Sequence, residues 1–68
     1  MRLSARNQLP GRLTAIRLGT VMAEVTIDIG GPVVVAAITR ESAEALGLRE
    51  GDSVSAIIKA TEIIVGKE

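Results

Sequence analysis

Polar and apolar positions alternate along most of the chain, and the period changes once. From Val21 to Ile29, the residues Val21, Ala23, Val25, Ile27 and Ile29 fall on one side of a two-residue period and Met22, Glu24, Thr26 and Asp28 on the other. That is the pattern of a strand with one buried face. The segment Asn7–Leu18 has the same period, with Arg12, Thr14 and Ile16 alternating with Leu13, Ala15 and Arg17. Pro10-Gly11 lies inside it, and a proline has no N–H to give a ladder, so this point reads as a bulge or an edge position. Gly19-Thr20 and Gly30-Gly31-Pro32 are turns on either side of the second strand. Val33–Ile38 is a continuous apolar run, which predicts a strand buried on both faces.

The period then becomes helical. Thr39 is a good N-cap, Glu41 puts a negative charge in the first turn, and Ala43, Ala45 and Leu46 follow. Gly47 suits a left-handed stop, which predicts a helix of about two turns. Leu48 to Asp52 reads as a loop and turn, Ser53–Lys59 as a strand, Ala60-Thr61 as a kink or short turn, and Glu62–Val65 as a last strand before the tail Gly66-Lys67-Glu68. The order β-β-β-α-β-β predicts an all-β fold with one short helix, the plan of an OB-like five-stranded Greek-key barrel. At 68 residues the chain is expected to be a single domain, 1–68, with no repeat or linker.

Composition narrows the function more than it narrows the fold. The chain has no Cys, His, Phe, Trp or Tyr. The absence of Cys removes disulfides, thiolate metal sites and a thiol nucleophile, and the absence of His removes the commonest general base and zinc ligand. The absence of aromatic rings removes the stacking platforms of single-strand binders. An enzyme is therefore not expected. A domain this small buries only about 60% of its unfolded surface, and the usual staples are disulfides, a metal or oligomerisation. Here 15 residues are Val or Ile and the mean hydropathy is +0.38, so part of the apolar surface is expected to be buried against other copies. No apolar run is long enough to span a bilayer and MRLSARNQLPG lacks an apolar signal-peptide core, so a cytoplasmic protein is the default expectation.

The net charge is zero but uneven. Residues 1–23 contain Arg2, Arg6, Arg12 and Arg17 and no acid, while all eight acids fall in residues 24–68. An overall neutral chain argues against a nucleic-acid backbone as the main partner, and the basic N-terminal part suits either a complementary face in an oligomer or an anion. Three features carry hydrogen-bond donors. Ser4-Ala5-Arg6-Asn7-Gln8 combines a hydroxyl, a guanidinium and two carboxamides with no acid, which suits an oxyanion or, more plainly, a polar arm. Thr39–Ala43 opens a helix, where a cap alone accounts for Thr39. Lys59-Ala60-Thr61 places a charge at the end of an apolar strand. Together they make a donor-rich set without an acid, and a site that turned only donors inward would satisfy a fully deprotonated tetrahedral dianion and disfavour hydrogen phosphate, whose O–H would lack an acceptor.

Ser4-Ala5-Arg6-Asn7-Gln8-Leu9-Pro10-Gly11 closely resembles the opening motif of the Mop domain, found in molbindins and in molybdate-responsive regulators. The pattern continues with Thr39-x-x-Ser42-Ala43-x-x-Leu46-Gly47-Leu48-x-x-Gly51-x-x-Val54 and with Ala56-x-x-Lys59-Ala60, so the likeness spans the chain. The resemblance implies a cytoplasmic protein that binds molybdate or tungstate, with no organic cofactor, at the subunit interfaces of a homohexamer built as a trimer of dimers. Carried over by position, Ser4, Ala5 and Arg6 of one subunit would face Thr39, Ser42, Ala43, Lys59 and Ala60 of a neighbour. Arg6 and Lys59 would neutralise the dianion, Ser4, Ser42 and Thr39 would donate hydroxyls, and the small Ala5, Ala43 and Ala60 would let backbone N–H groups approach. Some members carry Ser where this chain has Ala60. Asn7 and Gln8 would shape the strand start or line a second interface site. The metal would be held as an oxyanion, without direct ligands, for storage, buffering or homeostasis.

Three other readings compete. Leu46-Gly47-Leu48-x-x-Gly51-Asp52-x-Val54 also resembles the swapped-hairpin transition regulators, small DNA-binding modules that use basic faces and lack the Ser-Ala-Arg-Asn-Gln opening. An OB-type RNA binder would need aromatic rings. A purely structural oligomer would use the donor cluster only for contacts between copies. No nucleic acid or membrane partner is expected.

Overall fold

The twelve residues Asn7–Leu18 form one strand, β1, that serves two neighbours in turn. In a computed structural model, which describes residues 2–68 and leaves Met1 of the expected domain outside, β1 is followed by β2 (Met22–Asp28), β3 (Val33–Thr39), α1 (Arg40–Ala45) and β4 (Ser53–Ile58), then a 3₁₀ turn over Ala60–Glu62. The first half of β1 pairs antiparallel with β4, from Asn7↔Ile58 to Arg12↔Ser53. The second half pairs antiparallel with β2, from Arg12↔Asp28 to Leu18↔Ala23, and β3 pairs antiparallel with the far side of β2. The sheet order is β3-β2-β1-β4.

The change of partner is accompanied by a bulge. Leu13 pairs with Ile27 and Ala15 with Thr26, so Thr14 is the extra residue. A bulge bends the strand and raises its twist. It also changes parity: Leu13 and Ile16, three positions apart, both pack on the core, where a strict two-residue period would send them to opposite faces. The bulge therefore lies at Thr14 and not at Pro10-Gly11. Pro10 pairs with Ser55 in the half of β1 that has no β2 partner, so it holds the edge position that was the other expectation. At Gly11 a Cβ would overlap the Asp28 carbonyl oxygen and lie 2.9 Å from Ile27 Cγ2, so the close approach of β1 to the end of β2 needs glycine.

β2 buries Ala23, Val25 and Ile27 as its alternation predicts, but it is shorter than Val21–Ile29 and leaves Val21 exposed. β3 corrects a larger expectation. It is an edge strand with one half-buried face (Val34, Ala36 and Ile38), and Val33 and Val35 point outward and are more than half exposed. A run of apolar residues does not by itself say whether its own chain covers one face of the strand or both.

α1 begins and ends as its residues dictate. Thr39 Oγ1 accepts a 3.0 Å hydrogen bond from the Ser42 N–H, and the two hydroxyls lie 2.7 Å apart. At the other end Gly47, with φ +62°, lets its N–H donate to the Glu44 carbonyl at 3.0 Å and the Leu48 N–H donate to the Ala43 carbonyl at 3.2 Å. This paired closure satisfies carbonyls that the helix leaves open. The following turn is joined to the bulge region: the Gly51 N–H donates to the Leu13 carbonyl at 2.7 Å and the Leu13 N–H to the Asp52 carbonyl at 2.9 Å.

The core is thin. Leu13, Ala23, Val25, Ile27, Ala43 and Ala56 are buried, and half of these are alanine. The expected fifth strand does not form: β4 ends at Ile58, the 3₁₀ turn redirects the chain, and Glu62–Val65 pairs with nothing among the described residues. The sheet has four strands instead of five, and its barrel-like curl stays open between β3 and β4. An apolar cavity of about 900 Å³ lies there, lined by residues that include Leu13, Val25, Val34, Val54, Ala56 and Ile58. Ile64 and Val65, at 94% and 88% exposure, remain in solvent.

Candidate oxyanion site

The register of β1 and β4 brings two of the donor features to one end of the sheet. Asn7 pairs with Ile58, so Arg6 and Lys59 stand one residue beyond that pair, with Ser4-Ala5 and Ala60 next to them. Ser4, Arg6, Lys59 and Ala60 are exposed, and Ala5 is half-buried. Among the described residues the one ion pair is Arg40–Glu44, so neither Arg6 nor Lys59 has a carboxylate partner. Two uncompensated cations beside a serine hydroxyl and two alanines make an end that attracts an anion and leaves room for backbone N–H groups.

The third feature lies elsewhere. Thr39 pairs with Met22 at the start of β2, beside the end of β1 where Leu18 pairs with Ala23. Within one chain the register sets Arg6 beside Lys59, while Thr39 is placed by its pairing with Met22. Ser42 and Thr39 are exposed, whereas Ala43 is 2% exposed and faces the core, so it offers a ligand only its backbone. The start of α1 is also less open than a bare helix end. The Arg40 N–H donates to the Val21 carbonyl at 2.8 Å, and the Ser42 N–H is taken by Thr39.

Asn7 and Gln8 have work inside the chain. Asn7 Nδ2 donates to the Ile58 carbonyl at 3.2 Å and ties the start of β1 to the end of β4. Gln8 Nε2 donates to the Ala5 carbonyl at 3.0 Å and holds the arm that carries Arg6. Each carboxamide keeps a second N–H. Sequence reasoning missed Arg40. Its Nη1 donates to the Gly19 carbonyl at 3.2 Å and its Nε to Glu44 at 2.6 Å, so it fixes the helix start to the β1–β2 turn. The four-residue spacing of Arg40 and Glu44 was the available signal.

The large cavity is not an oxyanion site, because its walls are mostly aliphatic and its one charged residue is the acid Asp52. Among the described residues no group of three His, Cys, Asp or Glu side chains could hold a metal ion, and no helix is long and apolar enough to cross a membrane.

Comparison with known proteins places these features in a family. The model of the TOBE domain matches residues 3–65. Molybdenum-pterin-binding protein 3 of Clostridium pasteurianum is 44% identical over 66 residues, which cover 96% of this chain and 97% of that protein. The structure of a molybdate-binding protein from Sporomusa ovata superposes with a TM-score of 0.94 at 46% identity, covering 98% of this chain and 100% of that one. The cytoplasmic molybdate-binding protein ModG, in a form with molybdate bound, gives a TM-score of 0.82 at 46% identity over 88% of this chain and 43% of its own. With the Mop opening motif seated at the start of β1 and the match running nearly end to end, the chain belongs to the TOBE-domain family, among the molbindins.

Proposed function

We propose that this chain, one Mop domain over residues 1–68, binds molybdate or tungstate as a cytoplasmic store or buffer, and that it holds the oxyanion between subunits of a homohexamer built as a trimer of dimers. The observation that carries the reading is the juxtaposition of Arg6 and Lys59, exposed and without carboxylate partners, at the end of the sheet that also holds Ser4, Ala5 and Ala60. These residues form a cationic half-site. Thr39 and Ser42, at the start of α1, form a hydroxyl half-site in which Ala43 contributes only backbone, and a neighbouring copy supplies one half to the other. Asn7 and Gln8, with their second N–H groups, are candidates for an additional site on a symmetry axis.

The protein binds rather than catalyses in this reading. In it no side chain ligates the metal itself, and a donor-rich shell without a carboxylate recognises the four oxygens of the dianion without changing them. Assembly is supported by the thin core and by the exposed Leu18, Val21, Val33, Val35, Leu46 and Ile63–Val65. The apolar tail and the open cavity between β3 and β4 suit strand pairing between copies. Both proteins with solved structures described above are named as molybdate-binding proteins.

Equilibrium dialysis against molybdate, with bound molybdenum measured by mass spectrometry, tests the reading. Wild-type protein retains molybdate in the presence of excess sulfate. Arg6→Ala stays folded and assembled but binds about 10- to 100-fold more weakly, the range expected for one charged hydrogen-bonding partner worth roughly 1.5–3 kcal/mol. Unchanged retention by the variant, or none by the wild type, contradicts the assignment.

A further inference from the structure

Residues 2–6 precede the first strand, and the pairing of β1 with β4 begins at Asn7↔Ile58. Among the described residues one hydrogen bond ties this arm to the chain: Gln8 Nε2 donates to the Ala5 carbonyl at 3.0 Å. Asn7 serves differently. Its Nδ2 donates to the carbonyl of Ile58, a strand residue that pairing already sets. The Ala5 carbonyl has no ladder to direct it, so the half-buried Gln8 does so. That carbonyl and the Arg6 N–H belong to one trans peptide group. In a planar trans peptide the two point in opposite directions. With the oxygen held toward Gln8, the Arg6 N–H is turned to the far side, and among the described residues it donates to no acceptor.

We infer that Gln8 is a positioning residue that sets anion selectivity: through the Ala5–Arg6 peptide it turns an acceptor away from the oxyanion and leaves the Arg6 N–H to meet it. The inference rests on the anion site proposed above and names the group that decides which anions that site takes. Molybdate and sulfate dianions have only acceptor oxygens, and a carbonyl oxygen facing them repels them. Hydrogen phosphate at the same charge carries one O–H, which needs an acceptor. A loose Ala5 carbonyl would supply that acceptor, so holding it back discriminates against hydrogen phosphate. A carboxamide suits the task because it is a neutral donor. A carboxylate in its place would repel the carbonyl and compete with the anion for Arg6. The bond also orders the arm before the anion arrives, so binding does not bear the entropy of fixing it.

Competition dialysis of the full chain, loaded with molybdate at mildly alkaline pH, tests this with two competitors. Sulfate and hydrogen phosphate are both tetrahedral dianions of similar size there, and they differ by one O–H. In the wild type, hydrogen phosphate displaces molybdate no better than sulfate does. Gln8→Met keeps the length of the side chain and removes the donor; Gln8→Glu keeps its shape and, ionised, cannot donate. In both, molybdate binds more weakly, and hydrogen phosphate displaces it at concentrations about 3- to 10-fold lower than sulfate, the worth of one hydrogen bond. Gln8→Lys, whose ammonium donates to the same carbonyl, returns the competitors to equal effect. Its added charge does not enter the comparison, because the competitors carry the same charge. Equal displacement in a folded donor-free variant, or a phosphate advantage in Gln8→Lys as large as in Gln8→Met, overturns the inference and leaves the binding function standing. Fewer molybdates bound per chain at unchanged affinity would put Gln8 in a separate site and overturn it as well. Two donor-free variants serve because either alone could misfold; loss of folding in both would make Gln8 a structural residue and sink the inference. If the wild type binds no molybdate, the binding function fails and the inference fails with it.

Discussion

Single residues carry two kinds of work here, and their placement separates them. Arg6 and Lys59 sit where no carboxylate balances them, which is a poor arrangement for stability and a good one for meeting an anion. Asp28 shows the opposite case. Its Oδ1 accepts from the Gly30 N–H at 2.8 Å and the Gly31 N–H at 3.0 Å. The hydrogen bonds from Gly31 and then Gly30 hold its carboxyl below the ordinary carboxylate range. A carboxyl whose native pKa is depressed adds stability above its unfolded pKa of about 4. That contribution is lost as pH falls below about 4 toward the lower native value. Asp28→Asn keeps an acceptor for the turn but cannot titrate, so its stability should change less with pH on the acid side than that of the wild type. Urea midpoints at a series of acidic pH values measure the difference. Equal slopes would mean that the turn hydrogen bonds do not favour the ionised form.

The elements were legible where local chemistry decides them. Thr39 and Gly47 mark the ends of α1 because a hydroxyl at the N-cap and a left-handed residue after the last turn are local requirements. Gly47→Ala should therefore cost about 1 kcal/mol, read as a lower urea midpoint, since its φ of +62° penalises a side chain. No loss would mean that the helix end relaxes to another closure. The limits of β1 were equally plain, but its bulge was not. Pro10-Gly11 looks like an interruption, yet the extra residue is Thr14, whose only trace is that Leu13 and Ile16 are both large and apolar at a spacing of three. The exposed face of β3 and the unpaired tail were misread for one reason. Val33, Val35 and Ile63–Val65 have the composition of covered strands, and a period says what a segment is suited to without saying which chain covers it. The candidate site was legible as a set of residues through the Ser4–Gly11 motif. That Arg6 and Lys59 come side by side depends on the β1–β4 register, which the sequence does not display.

At the scale of the whole molecule, a small chain with few buried side chains leaves an open cavity and an unpaired apolar tail. Each is a deficiency in one copy that other copies could supply in the proposed assembly. Ending the chain after Glu62 removes Ile63–Val65 and should abolish the proposed hexamer, with sedimentation reporting smaller species and the molybdate bound per chain falling with it. A truncated chain that still assembles would exclude the tail from the interface. The central claim, that copies of this chain hold an oxyanion between them, is tested most directly by native mass spectrometry of the purified protein without anion, with molybdate and with excess sulfate. The account predicts a hexamer that gains several molybdates and keeps them in sulfate. A monomer, or an assembly whose mass is the same in molybdate as without it, would contradict the account.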